Sequence, residues 1–431
     1  MDLTLKKKSN FNLLDLLSII LIAFQFDLFY LISTNFKLGQ GILFLVSLIV
    51  IVRFIRHPLS GKDLNLYLIL FLFVLLVTGA YQVTNMFGGS VISAFLAERI
   101  LWVYIAFYFA FDKLYMTGVF DKERCLKLLK CVGVIQLVLY FTQWILSSKI
   151  IFLHVLSGSR YGSARFYFSP ILLIFLVCFC VSDFYSSKKI SKIRNSVIWI
   201  VLIVAEILIV QKYRMTAVAL AVAIIVGFVM YKGNIKKGLL ILLLALLVIL
   251  VLLNTPMGKD IINSVMNSGT DNSVKGRAAW RLWALDELKQ RPLFGNGFVY
   301  STEAYEYGAS FVRKYFSWSF TPNDYGIMGF IYQYGLLGAI WFVLFVAVQL
   351  RRSLYVWRHN NNYAYLVFLV FIVVDSYSEL YWIMSNGLFV LVIYMVMLKN
   401  EFEQTKSRIR DSYQNMKTVV ADKDLNMESE R

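Results

Sequence analysis

Two arginines four residues apart, Arg277 and Arg281, stand in the run Gly276-Arg277-Ala278-Ala279-Trp280-Arg281-Leu282-Trp283-Ala284-Leu285-Asp286-Glu287-Leu288. At helical spacing they share one face, and two guanidiniums side by side make a fork for phosphate or carboxylate oxygens. Leu282, Leu285 and Leu288 give the same amphipathic helix an apolar stripe. Its competing role is therefore that of an interfacial helix whose arginines rest among lipid headgroups. The helix is expected to end at Arg291-Pro292-Leu293-Phe294-Gly295-Asn296-Gly297, where proline and glycine begin a turn. A second cationic site is Gln211-Lys212-Tyr213-Arg214-Met215-Thr216, a short polar break between two strongly apolar runs. The bland alternative there is snorkelling of Lys212 and Arg214 to headgroup phosphates.

Lesser cations are Lys149, Arg160 and Arg165, the last two just ahead of Tyr167-Phe168-Ser169-Pro170, and Arg99 beside Glu98. An adjacent acid and base in a span can each find a separate partner, so Glu98 and Arg99 rank below the others. Carboxylates available for proton abstraction are Asp271, Glu303, Glu306 and Asp324, the last within Thr321-Pro322-Asn323-Asp324, with Asp375 and Glu379 further on. A general base must reach the hydroxyl it activates. Glu206 lies deep in an apolar run, where an acid suggests a pathway or a pair and so favours a transporter. His154 is alone on its side and reads as structural. Cys125, Cys131, Cys178 and Cys180 show neither a disulfide framework nor zinc-ligand spacing. A phosphate-binding glycine loop, an HExxH cluster and a nucleophile elbow are all missing from the sequence. Metal-assisted chemistry loses weight, and no cofactor is expected.

The elements that position these groups follow from composition. The 431 residues are 59% hydrophobic and only 16% charged, with a mean hydropathy of +0.66, which excludes a soluble enzyme. Apolar runs near 11–34, 38–55, 64–84, 91–111, 128–147, 168–185, 195–211, 214–231, 237–253, 325–350, 363–380 and 382–398 predict an all-α polytopic membrane protein. Its transmembrane helices number about 12, at about 20 residues each. The formal charge of +17 reflects cytoplasmic loops that collect Lys and Arg, not a nucleic-acid partner. Lys6 to Lys8, Arg53, Arg56, Lys188, Lys189, Arg351 and Arg352 all fall on one side of this arrangement, which puts both termini in the cytoplasm. The N-terminus reads as an uncleaved first span. Residues 1–398 form the transmembrane unit, 254–320 a long extracytoplasmic loop holding the amphipathic helix, and 399–431 a charged cytoplasmic tail. Loops of that length are usually functional when they carry patterned sequence.

These residues resemble a known family. Gly276-Arg277, then Trp283-Ala284-Leu285, then Arg291-Pro292-Leu293-Phe294-Gly295-Asn296-Gly297-Phe298 resembles the signature of the O-antigen ligase and polymerase superfamily, an arginine-led helix followed by a PLxGxG turn. Tyr213-Arg214-Met215-Thr216-Ala217 resembles the stretch that opens a family helix, Arg160 through Pro170 an earlier arginine, glycine and proline segment, and Gln333-Tyr334-Gly335-Leu336-Leu337-Gly338 the helix after the long loop. The similarity spans about 160 to 340, with four motifs in order. It implies metal-independent transfer of a glycan from an undecaprenyl diphosphate carrier at the outer leaflet of a bacterial inner or plasma membrane. Arg214 and Arg277 carry over as diphosphate ligands; Arg281, Arg160, Arg165, Lys212 and Asn323 are weaker substrate-binding candidates by position.

Ligases of this family place a histidine before the helix that follows the long loop, whereas this chain reads Pro322-Asn323-Asp324. The departure favours a polysaccharide polymerase that extends capsule, exopolysaccharide or O-antigen chains, with Asp324 as its base and a flippase and chain-length regulator as partners. The alternatives are ligase-type transfer to another acceptor, a lipid-linked oligosaccharide flippase or other transporter, and a non-enzymatic scaffold.

Overall fold

The computed structural model describes residues 13–32, 36–56, 63–88, 90–160, 163–231, 272–298, 325–378 and 385–429. The acids Asp271, Glu303, Glu306, Asp324 and Glu379, together with Asn323, the apolar run 237–253 and most of the long loop, lie outside the described residues.

The described chain is helical almost throughout, as membrane-embedded backbone must be to satisfy its own polar groups. The helices are α1 (Leu13–Gln25), α2 (Phe36–Arg53), α3 (Leu64–Phe87), α4 (Val91–Ala97), α5 (Arg99–Met116), α6 (Lys122–Leu146), α7 (Ile171–Ser186), α8 (Ile190–Ala205), α9 (Arg214–Val229), α10 (Asn272–Leu288), α11 (Ile327–Asn360), α12 (Ala364–Asp375) and α13 (Ser385–Ser429). Among the described residues, four units are long and apolar enough to cross a membrane: Leu64–Met86, Lys122–Leu146, Ile190–Gln211 and Ile327–Asn360. The pair α4 and α5 makes a fifth if its 63° bend is counted as one span. Further apolar helices, among them α1, α7, α9 and α12, are shorter. The protein is thus a multi-pass helical membrane protein, in which these units supply four or five of the expected spans by length and apolarity.

Local departures from the sequence reading mark special positions. The run expected at 91–111 is broken at Glu98. The first run ends at Gln25 and passes into a short segment, Asp27–Tyr30, whose residues all have left-handed φ values of 46° to 62°. The fold is not purely α: an antiparallel hairpin, β1 (Ser157–Arg160) and β2 (Ser163–Phe166), pairs Ser157 with Phe166 and Arg160 with Ser163. The last apolar run and the charged tail form one continuous helix, α13.

The core centres on α7, which is buried on every face from Ile171 to Val181, as a helix that is apolar all round should be. It packs against α6, α8, α12 and α13. Helices α9 and α12 pair closely, and a Cβ on Gly227 would lie 2.9 Å from Val367 Cγ2. Tyr231, just beyond α9, stands 6.4 Å from Tyr363 at the start of α12, so the two helices run antiparallel.

The two ends of the bundle differ. At the charge-paired end, Lys399 Nζ bonds both Asp112 oxygens at 2.9 and 2.8 Å and Asp63 Oδ2 at 2.9 Å. Arg352 donates to Asp63 Oδ1 at 3.1 Å and to Asn65 Oδ1 at 2.6 Å, and the Tyr108 hydroxyl donates to Asp63 at 2.7 Å. Arg124 pairs with Asp15, and Lys122 with Glu401, each at 2.7 Å. The opposite, hairpin end carries the β1–β2 hairpin, the break between α8 and α9, and the turn after α10.

Candidate functional site

The site begins where α8 ends. Its last turn widens into a π segment, Glu206–Gln211, and the chain then reverses at Lys212 in the left-handed conformation (φ 55°, ψ 40°). The five-residue spacing brings the Gln211 amide back onto Glu206, where Nε2 donates to Oε1 at 2.7 Å and Oε2 at 2.8 Å. π segments of this kind recur at functional positions. Tyr213 caps the next helix and Arg214 is its first residue, half-buried, where the partial positive charge of a helix N-terminus adds to the guanidinium.

The hairpin fastens this turn. Arg165 Nε donates to the Gln211 carbonyl at 2.9 Å, and its guanidinium lies over the rings of Tyr167 and Tyr213 at 4.3 and 5.0 Å. Lys212, buried, returns a hydrogen bond from Nζ to the Ala164 carbonyl at 2.9 Å. The structure therefore engages Arg165 and Lys212 in holding the turn from which Arg214 starts. Arg160 closes β1, and its side chain lies outside the described residues.

Helix α10 forms as expected but with a different buried face. Leu282 and Leu285 are 70% and 48% exposed, whereas Gly276, Trp280, Ala284 and Leu288 are buried. The reason is fit: Trp280 stacks on Tyr325 at 3.6 Å, within 6° of parallel, and touches Tyr332 at 5.3 Å, while Gly276 and Ala284 one turn either side allow the close approach. Arg277 and Arg281 flank this face, half-buried. Arg281 Nη2 donates to the Tyr377 carbonyl at 2.7 Å, and its guanidinium covers the Tyr377 ring at 4.7 Å. Tyr377 follows α12, and the antiparallel pairing of α9 with α12 carries Arg214 to that same end. Arg165, Arg214, Arg277 and Arg281, far apart in sequence, thus all lie at the hairpin end.

A backbone lock fixes α10 to the bundle. Helix α11 breaks at Gly335 (φ 63°, ψ −154°), and the turn after α10 fills the break. Asn296 and Gly297 donate to the carbonyls of Tyr332 and Gln333 at 2.9 and 2.8 Å, while Leu336 and Leu337 donate to those of Pro292 and Leu293 at 2.8 and 3.2 Å. The Gly335 conformation disfavours side chains, and a Cβ there would stand 2.5 Å from the Leu293 carbonyl oxygen. Arg291 Nη1 also braces the turn through Asn296 Oδ1 at 3.0 Å. Two motifs that looked independent in sequence are halves of one joint.

Glu98 ranked below the other charged candidates in the sequence. It sits fully buried at the bend between α4 and α5, and neither carboxylate oxygen has a hydrogen-bond partner among the described residues. A Cβ on Gly79 would lie 3.0 Å from Glu98 Oε1 and 2.9 Å from Tyr334 Cε1, so the acid lies close by the aromatic residue that precedes the α11 break. Asp375 is buried at the end of α12, next to Ser376, whose carbonyl accepts from Ile327 N at 2.6 Å. His154 donates its backbone N–H to the Tyr30 carbonyl at 2.7 Å. A cavity of about 210 Å³ lies at the opposite end, between Lys122, Ser182, Asn362 and Glu401, away from the arginines.

No curated protein matches the chain. Residues 197–343, from within α8 through the first half of α11, and hence Arg214, Arg277 and both halves of the backbone lock, match the family model described as O-antigen ligase, in agreement with the resemblance to the O-antigen ligase and polymerase superfamily.

Proposed function

We propose that the protein polymerises lipid-linked oligosaccharide repeat units, moving a growing glycan from its undecaprenyl diphosphate carrier onto the next repeat unit at the outer leaflet of a bacterial inner or plasma membrane. The observation that supports the reading is that Arg214, at the N-terminus of α9, and the α10 arginines lie at the same end of the bundle. A lipid diphosphate gains negative charge as the glycosidic bond breaks. Guanidiniums aimed at that oxygen stabilise the transition state more than the ground state. Arg214 and Arg277 take the role of diphosphate ligands. Arg281, also bound to Tyr377, stands beside Arg277, and Arg165 and Lys212 hold the turn. Asp324, with Asn323 beside it, is the proposed base for the acceptor hydroxyl. A flippase delivering repeat units and a chain-length regulator are the expected partners.

The family match described as O-antigen ligase supports a second reading, transfer to a different acceptor. The sequence Pro322-Asn323-Asp324 in place of the ligase histidine is the reason for preferring the polymerase. The test is reconstitution in lipid vesicles with a purified lipid-linked repeat unit. Glycans of several repeats are expected from the wild type. Arg214→Ala and Arg277→Ala should each lower the rate by about 100-fold or more, the scale for losing one charge-stabilising donor, at unchanged protein level. Products of one added repeat on a foreign acceptor only would favour the ligase, and undiminished polymer from both variants would remove the arginines from the chemistry.

A further inference from the structure

Helix α10 keeps one face that the arginine site does not use. At about 100° per residue along a helix, Gly276, Trp280, Ala284 and Leu288 form its buried side, and Ala278, Leu282 and Leu285 turn away from it, all three exposed. Arg281 falls on the seam between the two sides, with Arg277 one turn before it. The turn after α10 continues the exposed face. Leu293 and Phe294 point outward there, while Gly295, Asn296 and Gly297 are buried in the lock. Exposed large apolar side chains gathered in this way mark a surface that meets something other than water.

The lock fixes the depth of that surface. Leu336 and Leu337 donate to the carbonyls of Pro292 and Leu293 at 2.8 and 3.2 Å, so the turn lies level with Leu336. Helix α11 is long and apolar enough to cross a membrane. From the break onward its exposed residues, Leu336, Ile340, Val343, Leu344, Ala347 and Leu350, recur at helical spacing as one apolar stripe, the side that a spanning helix turns to lipid. The stripe ends at Arg351, the first charged residue on α11. Between Arg351 and Leu336 the helix rises about 22 Å, whereas the hydrocarbon core of a bilayer is about 30 Å thick. Leu336 therefore stays inside the apolar layer, and Pro292, Leu293 and Phe294 stay with it. Toward the hairpin end the surroundings become polar again. Trp280 packs on Tyr325 and Tyr332, on that side of Leu336, and the next residue, Arg281, bonds the Tyr377 carbonyl and covers its exposed ring. Arginine and tyrosine side by side suit the headgroup level.

We propose that α10 and the turn after it are embedded in the lipid leaflet at the hairpin end, with Leu282, Leu285, Leu293 and Phe294 among the acyl chains. The occupant of the exposed face is lipid, because the face continues the lipid-facing stripe of α11 through two backbone hydrogen bonds. Anchoring in the bilayer and presenting arginines are then the work of two sides of one helix, not alternatives.

The test needs no glycan, so it succeeds or fails independently of the proposed transfer reaction. Full-length protein is placed in nanodiscs in which part of the phospholipid carries a diazirine midway along an acyl chain, then irradiated, digested and mapped by mass spectrometry, with a water-soluble diazirine in a parallel sample. Lipid adducts are expected within 282–294 of the unsubstituted protein, as within the α11 stripe 340–350, with loss of labelling by the water-soluble reagent in both. Single positions sharpen the result. Nitroxides on Leu285→Cys and Leu293→Cys should collide with oxygen more often than with a water-soluble nickel chelate, and a nitroxide on Asp286→Cys, at the polar edge of α10, should do the reverse; the unsubstituted protein with its native cysteines sets the background. Water-soluble labelling of 282–294, or chelate collisions at Leu293→Cys equal to those at Asp286→Cys, would overturn the proposal in favour of a water-exposed loop. Dipolar broadening between nitroxides on two copies would overturn it in favour of a contact between copies of this chain.

Discussion

The two ends of the bundle use the same residue types for different work. At the charge-paired end, Asp63, Asp112 and Lys399 are almost wholly buried, Arg352 closes over them, and each charge meets its opposite within about 3 Å. At the hairpin end, Arg165 and Arg281 lean on backbone carbonyls and tyrosine faces. A carbonyl or a ring orients a guanidinium without cancelling its charge, so the cations stay available to an anion. Pairing makes a staple; orientation of Arg165 and Arg281 without neutralisation suits the anion site proposed here.

That contrast can be broken from either side. The largest effect is expected from Asp63→Ala, which strips Arg352 of its carboxylate and Lys399 of one of two. Leaving a buried charge uncompensated costs about 3–5 kcal/mol, read as a lowered unfolding midpoint in detergent, with glycan transfer falling only in proportion to folded protein. Next comes Gly335→Ala at the lock, where strain and overlap with the Leu293 carbonyl together cost about 2–3 kcal/mol. Protease cleavage within 291–298 should speed up with it, because the turn loses its seat on α11. Arg165→Ala removes one hydrogen bond and two ring contacts, about 1–2 kcal/mol. Its transfer rate should drop by more than its stability, since the turn it fastens leads to Arg214.

The smallest effect is a pH slope. Burial alone would raise the Asp63 and Glu401 carboxyls, but Lys399 outweighs it at Asp63 and Lys122 at Glu401, helped by hydrogen bonds from Tyr108, Asn362 and Tyr365, so both are held below their ordinary values of 3.8 and 4.5. A depressed carboxylate adds stability above its unfolded value and loses it as pH falls through the folded one. These two groups should therefore leave the unfolding midpoint unchanged down to about pH 4.5 and lower it below that, less steeply in Glu401→Gln.

Much of the fold was legible because apolar runs in a chain this hydrophobic leave little choice but helices, and α3, α6, α9 and α12 lie where those runs are. The positions that matter for the site were less so, because each depends on a partner distant in sequence. The lock joins Pro292–Gly297 to Tyr332–Leu337, and nothing in either motif names the other. The α10 face was misjudged because leucine content suggested Leu282 and Leu285, while the surface it meets, Tyr325 and Tyr332, selects Trp280. The hairpin strands, Ser157–Arg160 and Ser163–Phe166, are short and lack the β-branched alternation that marks a strand in sequence. Glu98 ranked low because an acid beside a base can find a partner of its own; in the fold it lies buried at the bend, and neither oxygen has a hydrogen-bond partner among the described residues.

In the proposed reaction Arg214 and Arg277 hold one diphosphate between them. That arrangement is tested most directly by a double-mutant cycle on the binding of undecaprenyl diphosphate to the wild type, Arg214→Ala, Arg277→Ala and the double variant in nanodiscs. Ligands sharing one anion should couple, so the double variant should depart from additivity by about 0.5–3 kcal/mol. Strictly additive losses, or binding unchanged by either substitution, would contradict a shared site.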